Sequence, residues 1–383
     1  VAIYGLMRTG IGRTLSTLGA IAVITSPAML SAITELRDFS RGPFILTILW
    51  ILVWLLASKH SLGKATAAAA FLGVLTGISL GFRQDVLILT PPSVIALFFV
   101  GCRAAESRKV RGLLPVILYL FCFLVFARPI LMRMEGSAGP DHLLVQGFSI
   151  KRMDNLGLYA DGYKPLSSGL DDYVFAAMYD YGRRVHKPAA PHFERVSSWA
   201  ERSSRAWLID MGLHFPADLL VRGYASVLRT LRYADAYPPF FEEPTQWHRR
   251  LYDLHRALAE HLHHAGPLYA IAALLIIAAK NYMLTLGLFI FILYMFGYVG
   301  LQCEYRHAFH LSFAPFWIIA FLLQNILTYG CRIYSKPRRI RPCSKRTGVH
   351  VFLFAICCVF ILGVPLYGLR YYQSYRVAKL LAP

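Results

Sequence analysis

Apolar residues fill long, nearly uncharged stretches of this chain, and short polar segments separate them. A bilayer core about 30 Å thick is crossed by about 20 helical residues, so stretches of this kind predict membrane-spanning helices. The shorter ones are expected to include flanking residues. We predict nine spans, over residues 15–33, 43–57, 65–82, 86–101, 113–127, 267–279, 283–301, 308–329 and 349–367.

Composition and the distribution of basic residues agree with this pattern. With 56% hydrophobic and 16% charged residues, the 383-residue chain does not fit the ordinary water-soluble globular class. If the spans alternate, 16 of the 40 Lys and Arg residues fall in short loops on one side, which we assign as cytoplasmic. We expect a bacterial inner membrane, with the endoplasmic reticulum as the less favoured location.

The predicted fold class is therefore all-α, a polytopic helical membrane protein of about nine spans with a large extracytoplasmic helical domain. Its parts are a membrane region of about five spans (1–127), the extracytoplasmic domain (128–265) and a membrane region of about four spans (266–383) with a basic cytoplasmic loop (330–348).

The extracytoplasmic domain is nearly neutral. It contains 17 Lys and Arg and 16 of the 21 acidic residues, so the net charge of +19 comes from the membrane regions. Positive charge that lies in loops beside the spans does not indicate a nucleic-acid-binding surface. It predicts contact with anionic membrane lipids. We predict helices over 172–186, 193–211, 215–232 and 246–264, of which the third is expected either to lie in the membrane interface or to pack within the domain.

The remaining acidic residues are concentrated at the outward ends of the spans. Four of the five lie there, each with an arginine nearby. Ionisable groups at membrane depth are costly and indicate function, although helix caps and interfacial anchors are the alternative. The three turns that carry them are Glu35-Leu-Arg37-Asp38-Phe-Ser-Arg41, then Arg83-Gln84-Asp85, and then Glu304-Tyr305-Arg306-His307 with His310 one turn later.

These residue types suit group transfer from an anionic, membrane-bound substrate. Arginine presents a planar fork to phosphate oxygens, and a carboxylate can take the proton from an attacking hydroxyl. Neighbouring spans can hold a long lipid tail. The pattern therefore favours a lipid-phosphate donor.

The same residues carry a family resemblance. The stretch Leu18–Pro27, the turn ending at Arg41, the run Gly77–Asp85 leading into Pro91-Pro92, and the late Glu304-Tyr305-Arg306-His307 resemble elements of the GT-C glycosyltransferases. That group includes relatives of the protein mannosyltransferases and aminoarabinose transferases. The resemblance covers roughly residues 15–101 and 283–329.

The resemblance implies transfer of a sugar from a polyprenyl-phosphate donor to a lipid, glycan or protein acceptor on the extracytoplasmic face. It makes Arg83 and Arg306 candidates for donor phosphate contacts. The candidate catalytic residues are Glu35, Asp38, Asp85, Glu304 and His307, and the candidate substrate-binding residues are Arg37, Arg83, Arg306 and His310.

One departure from the family concerns its key carboxylate, which lies in the first outward loop after the first span. This chain has no equivalent before residue 15, and it does not begin with Met. Either earlier spans precede Val1 in a longer protein, or the protein is not an active enzyme of this family, and we expect the first.

Other chemistries are less favoured. An O-antigen polymerase or ligase, a noncatalytic envelope assembly protein and a transporter are the alternatives to the glycosyltransferase. No metal site is predicted. A divalent cation is the one cofactor considered, at Asp171 and Asp172 or among histidines with weak ligand spacing; those histidines are His248, His255, His261, His263 and His264.

Overall fold

The structure is a computed structural model of the chain. It describes residues 1–34, 36–105, 112–134, 144–145, 147–148, 152–153, 159–160, 171–186, 198–233, 245–301, 305–335 and 345–382.

Helices make up nearly all of the described chain. The α-helices are α1 (Ala2–Met7), α2 (Arg13–Ile24), α3 (Pro27–Thr34), α4 (Leu36–Phe39), α5 (Arg41–Ala57), α6 (Leu62–Ser79), α7 (Thr90–Ala104), α8 (Leu114–Met134), α9 (Asp171–His186), α10 (Ser198–His214), α11 (Pro216–Leu231), α12 (Gln246–Ala278), α13 (Tyr282–Gly297), α14 (Phe313–Ser335) and α15 (Lys345–Leu381). Three 3-10 helices span Gln84–Leu89, Tyr298–Leu301 and Tyr305–Leu311. Two short antiparallel strands, β1 (Arg152–Met153) and β2 (Tyr159–Ala160), form the ladder seen among the described residues.

Seven helices of the described chain are long and apolar enough to cross a membrane. The count becomes eight if α2 and α3, which meet at a 50° bend, form one broken span. Helix α5 is apolar but has 17 residues. Each of the nine predicted spans overlaps one of these helices or, for 15–33, the bent pair of α2 and α3. Helical structure is expected for a span because an α-helix satisfies its own backbone hydrogen bonds inside lipid. The helical membrane class is confirmed, while nine remains a prediction.

Two predicted elements join into one. The predicted helix 246–264 and the predicted span 267–279 are a single helix, α12, with Pro267 inside it. Proline removes one backbone donor and usually bends or breaks a helix. Here the helix continues through it, so the local signal for a break was misleading.

The chain divides into two compact units. Unit 1 consists of Val1–Glu135, Asp235–Glu260 and Arg306–Gln324, and unit 2 consists of Gly136–Ala234, His261–Tyr305 and Asn325–Pro383. Each unit combines segments from more than one part of the predicted organisation.

In unit 1, helices α6 and α8 approach closely along a ridge of small residues. A Cβ added to Gly77 would lie 2.8 Å from the Cβ of Phe126 and 2.9 Å from the carbonyl oxygen of Phe123. Small residues allow helix backbones this approach in a membrane, where van der Waals packing is the main source of helix association. The ridge fixes α6, which leads into the turn at Arg83–Asp85.

In unit 2, helix α11 packs against α13 and the 3-10 helix that follows α13. Its buried face includes Val221, Arg222 and Ala225. A Cβ added to Gly300 would lie 2.8 Å from the hydroxyl of Ser226 on α11. The helix thus packs against a predicted span, and the choice between the membrane interface and the domain stays open.

Candidate functional site

The site lies in unit 1, where elements from three turns meet. Helix α5 begins at Arg41, and Arg83 precedes the 3-10 helix Gln84–Leu89. Pro91 and Pro92 occupy the first turn of α7, where their missing N–H groups remove no intrahelical hydrogen bond. The third turn is the 3-10 helix Tyr305–Leu311.

A buried ion pair joins the first two turns. The Nη1 of Arg41 donates a hydrogen bond to Oδ2 of Asp85. The Arg41 side chain has no exposed surface, and that of Asp85 is 18% exposed. Removing one partner of a buried pair typically costs about 3–5 kcal/mol, because the other charge is left uncompensated. The pair therefore ties the start of α5 to the turn before α7.

Phe309 connects the third turn to this pair. Its ring centroid lies 6.0 Å from Cζ of Arg41, within the range of a cation–π contact. The same ring stacks on Phe39 at a centroid distance of 6.0 Å and an interplanar angle of 20°. Gly42 permits the approach, since a Cβ at this position would lie 2.6 Å from Cζ of Phe309. The aromatic ring is itself buried.

His310 follows Phe309 and has no exposed surface. Its ring stands at 88° to that of Phe309, with centroids 5.6 Å apart. Arg83 is half-buried at the start of its 3-10 helix. The contacts described thus join Arg41, Asp85 and Phe309. Phe39 and His310 lie against the Phe309 ring, and Arg83 is two residues before Asp85 in the sequence.

The guanidinium of Arg41 makes fewer hydrogen bonds than it can. Among the described residues, its Nε and Nη2 atoms are buried and have no hydrogen-bond partner. Unmet donors on a buried charged group are costly. The site can therefore accept a further oxyanion beside the Asp85 carboxylate.

The remaining predicted site residues are only partly described. Glu35 and Glu304 lie outside the described residues. The backbones of Arg37 and Asp38 are in α4, and those of Arg306 and His307 are in the 3-10 helix Tyr305–Leu311, while all four side chains are outside the described part. Their participation stays a prediction.

Arg41 and Phe309 were not among the predicted site residues. Arg41 is the last residue of the first charged turn, and the pattern of charges along the chain predicts no role for it. Its position does carry a signal, because it stands immediately before an uncharged apolar helix. Phe309 offered no comparable signal among 25 phenylalanines.

The histidines and aspartates considered for a metal do not form a site in the described part of the chain, where no three His, Cys, Asp or Glu side chains gather. His255 is buried instead within unit 1, with its Nε2 3.4 Å from the Thr25 hydroxyl and its ring against Phe316. The side chains of Asp171 and Asp172 lie outside the described part.

Comparison with known proteins does not assign this chain to a family. Neither a protein-family model, nor a curated protein, nor a solved structure matches it. A functional proposal therefore depends on the geometry described above and on the resemblance of the sequence.

Proposed function

We propose that the protein is a membrane glycosyltransferase that moves a sugar from a polyprenyl-phosphate donor to an acceptor on the extracytoplasmic face. The observation that carries this proposal is the buried pair of Arg41 and Asp85 beneath Phe309. It brings into contact one residue from each of the three charged turns. A buried cation next to a carboxylate, at the ends of apolar helices, suits a charged headgroup with a lipid tail.

The reaction transfers the sugar by displacement at its anomeric carbon. The acceptor oxygen forms a bond to that carbon while the bond between the carbon and the phosphate oxygen breaks. The electron pair of the broken bond stays on the polyprenyl phosphate, and the acceptor proton passes to a carboxylate. Fixed cations stabilise the charge that develops on the leaving phosphate, which is the usual main source of such catalysis.

The candidate residues divide between these tasks. Arg83, Arg306 and Arg37 are proposed to contact the phosphate, and Glu35, Asp38, Glu304, His307 and His310 are proposed to surround the sugar and acceptor. Asp85 has one oxygen engaged by Arg41. We therefore assign to Asp85 the orientation of Arg41, and we assign the proton transfer to Glu35 or Asp38 on the first turn.

The membrane placement supports the same proposal. Apolar helices α5, α6 and α7 adjoin the site and can accompany a polyprenyl tail. The excess of Lys and Arg in the opposite short loops favours an extracytoplasmic site. A bacterial inner membrane supplies donors of this class.

The test uses the full chain in lipid nanodiscs with a panel of undecaprenyl-phosphate sugars carrying labelled mannose, glucose or aminoarabinose, and native membrane extract as the source of acceptor. Release of undecaprenyl phosphate and transfer of label are measured together. We expect turnover with one donor, and at least a hundredfold loss in each of Arg83→Ala and Arg306→Ala, because a positioned cation at the leaving group typically contributes that much.

Arg222→Lys, a change at a buried arginine of unit 2, is the control and should turn over normally. No turnover with any donor in the panel, or normal turnover by both Arg83→Ala and Arg306→Ala, contradicts the proposal. Melting temperatures measured in the same nanodiscs separate a loss of chemistry from a loss of fold.

A further inference from the structure

The guanidinium of Arg41 is occupied on only one side. Asp85 binds Nη1, whereas Nε and Nη2, which form one edge of the planar group, meet no hydrogen-bond partner in the described part of the chain. A guanidinium edge of this kind holds two oxygens of one phosphate or carboxylate through parallel hydrogen bonds. The side chain of Arg41 has no exposed surface, so a ligand at this edge would be held away from bulk solvent.

We infer that the Nε–Nη2 edge of Arg41 is a binding site for a single phosphate group, held through two N–H···O bonds. This inference rests on the proposed function, which makes the phosphate that of a polyprenyl phosphate. It adds a residue that the sequence did not assign to the donor and defines how the phosphate is recognised, by a bidentate fork rather than by net charge.

Asp85 prepares this site by fixing the guanidinium. Its bond to Nη1 sets the plane of the group, and Arg41 is held further by the ring of Phe309 at 6.0 Å. A side chain that is already oriented loses little conformational entropy when a ligand arrives. The Arg41 edge is therefore preorganised for one oxyanion.

Phe309 packs against the face of this guanidinium. It is buried and stacked on Phe39, and it belongs to a 3-10 helix of seven residues. An aromatic ring over Cζ contacts the face of the planar group and takes up none of its in-plane N–H donors.

Arg222 provides a matched control. It is also buried and lies 5.8 Å from a phenylalanine ring, that of Phe148. Its Nη1 and Nη2 donate to the backbone carbonyls of Gly147 and Phe148. Arg41→Lys and Arg222→Lys each keep the positive charge and remove the planar guanidinium. Only Arg41→Lys should weaken phosphate binding.

The experiment measures binding to the full chain in phosphatidylcholine nanodiscs by the shift of its melting temperature. The probes are undecaprenyl phosphate and, separately, inorganic phosphate. We expect saturable binding of undecaprenyl phosphate that weakens at least tenfold in Arg41→Lys and is unchanged in Arg222→Lys. Binding should change little between 50 and 500 mM salt, because buried contacts are weakly screened.

Wild-type affinity in Arg41→Lys overturns the inference. Saturation by inorganic phosphate alone, again lost in Arg41→Lys, keeps the phosphate site but assigns it to a free phosphate. If Arg41→Lys does not fold, the double change Arg41→Met with Asp85→Leu decides, because it removes the fork and leaves neither charge buried. Binding of undecaprenyl phosphate should then weaken at least tenfold, and wild-type affinity in this variant overturns the inference.

The sugar-transfer assay separates this inference from the proposed function. Phosphate binding through Arg41 without transfer of any sugar contradicts the proposed glycosyltransferase function but supports the phosphate site at Arg41. Normal sugar transfer together with normal binding of undecaprenyl phosphate in Arg41→Lys contradicts the phosphate site at Arg41 but not the proposed function.

Discussion

Unit 1 and unit 2 each contain an arginine whose side chain is almost completely buried, Arg41 and Arg222, and these two arginines use their N–H donors differently. Arg41 in unit 1 and Arg222 in unit 2 are both inaccessible, and each lies about 6 Å from a phenylalanine ring. Arg222 donates to two backbone carbonyls at 3.0 and 3.2 Å. Arg41 donates to a carboxylate on a different turn, and one edge of its guanidinium meets no partner among the described residues.

This difference separates a structural arginine from one available for chemistry. Backbone carbonyls cannot leave or change charge, so Arg222 holds the segment around Phe148 against α11. Arg41 is paired with a carboxylate side chain, and it keeps donors that a ligand can use. Burial alone therefore does not distinguish the two roles, whereas the type of acceptor does, a carboxylate for Arg41 and backbone carbonyls for Arg222.

The largest effect is expected from breaking the pair in unit 1. Asp85→Ala leaves Arg41 buried without its counter-ion, which should lower the free energy of unfolding by about 3–5 kcal/mol. The double change Arg41→Met with Asp85→Leu should recover most of this loss, because neither charge then remains buried. Thermal unfolding of the full chain in nanodiscs measures both. A wild-type melting temperature for Asp85→Ala would show that the pair is not buried.

The second effect tests the structural role of Arg222. Arg222→Met leaves the carbonyls of Gly147 and Phe148 without donors, and this should cost about 2 kcal/mol of unfolding free energy. Sugar transfer at a temperature well below unfolding should not change. A selective loss of transfer with an unchanged melting temperature would remove the contrast between the two arginines.

A third effect concerns the apolar cluster of unit 2 that includes Phe148. Tyr181 packs on this cluster, and its hydroxyl donates a hydrogen bond to the Asp210 carboxylate. Burial, followed by this hydrogen bond and the Asp210 charge, raises the pKa of Tyr181 above its usual value. Tyr181→Phe should cost about 1.5 kcal/mol at pH 8, since the bond joins a charged acceptor.

The sign of the pH dependence follows from that shift. A raised pKa in the folded state means that the contribution of Tyr181 is complete below the unfolded pKa of about 10 and declines as the pH rises beyond it. The difference in melting temperature between wild type and Tyr181→Phe should therefore narrow from pH 9 to pH 11. A constant difference would indicate that the hydroxyl is not bonded to Asp210.

The smallest effect distinguishes two glycines at equivalent helix positions. Gly42 and Gly63 are each the second residue of a helix, α5 and α6. An added Cβ meets the Phe309 ring at the first position and nothing within 4 Å at the second. Gly42→Ala should therefore be less stable than Gly63→Ala by about 1 kcal/mol. Equal melting temperatures would show that Phe309 does not contact α5.

Local patterns predicted the helices well and their ends less well. The predicted span 283–301 corresponds to α13 and its 3-10 extension. The predicted span 349–367 lies within α15, which continues to Leu381. Beyond the apolar stretch, Gln373 accepts a hydrogen bond from the backbone N–H of Ala217 at the start of α11. That contact joins residues 156 positions apart, which no window along the chain can detect.

The amino-acid sequence by itself determined that this protein is helical and built for a membrane, because hydropathy over about 20 residues is a local property that lipid selects directly. It also marked three charged turns at the ends of spans. Only the tertiary structure decided which charges meet. Asp85 binds Arg41, which lies 44 positions away along the chain. Packing of the helices sets that choice, since the energy of an ion pair depends on distance and burial in space rather than on separation along the chain.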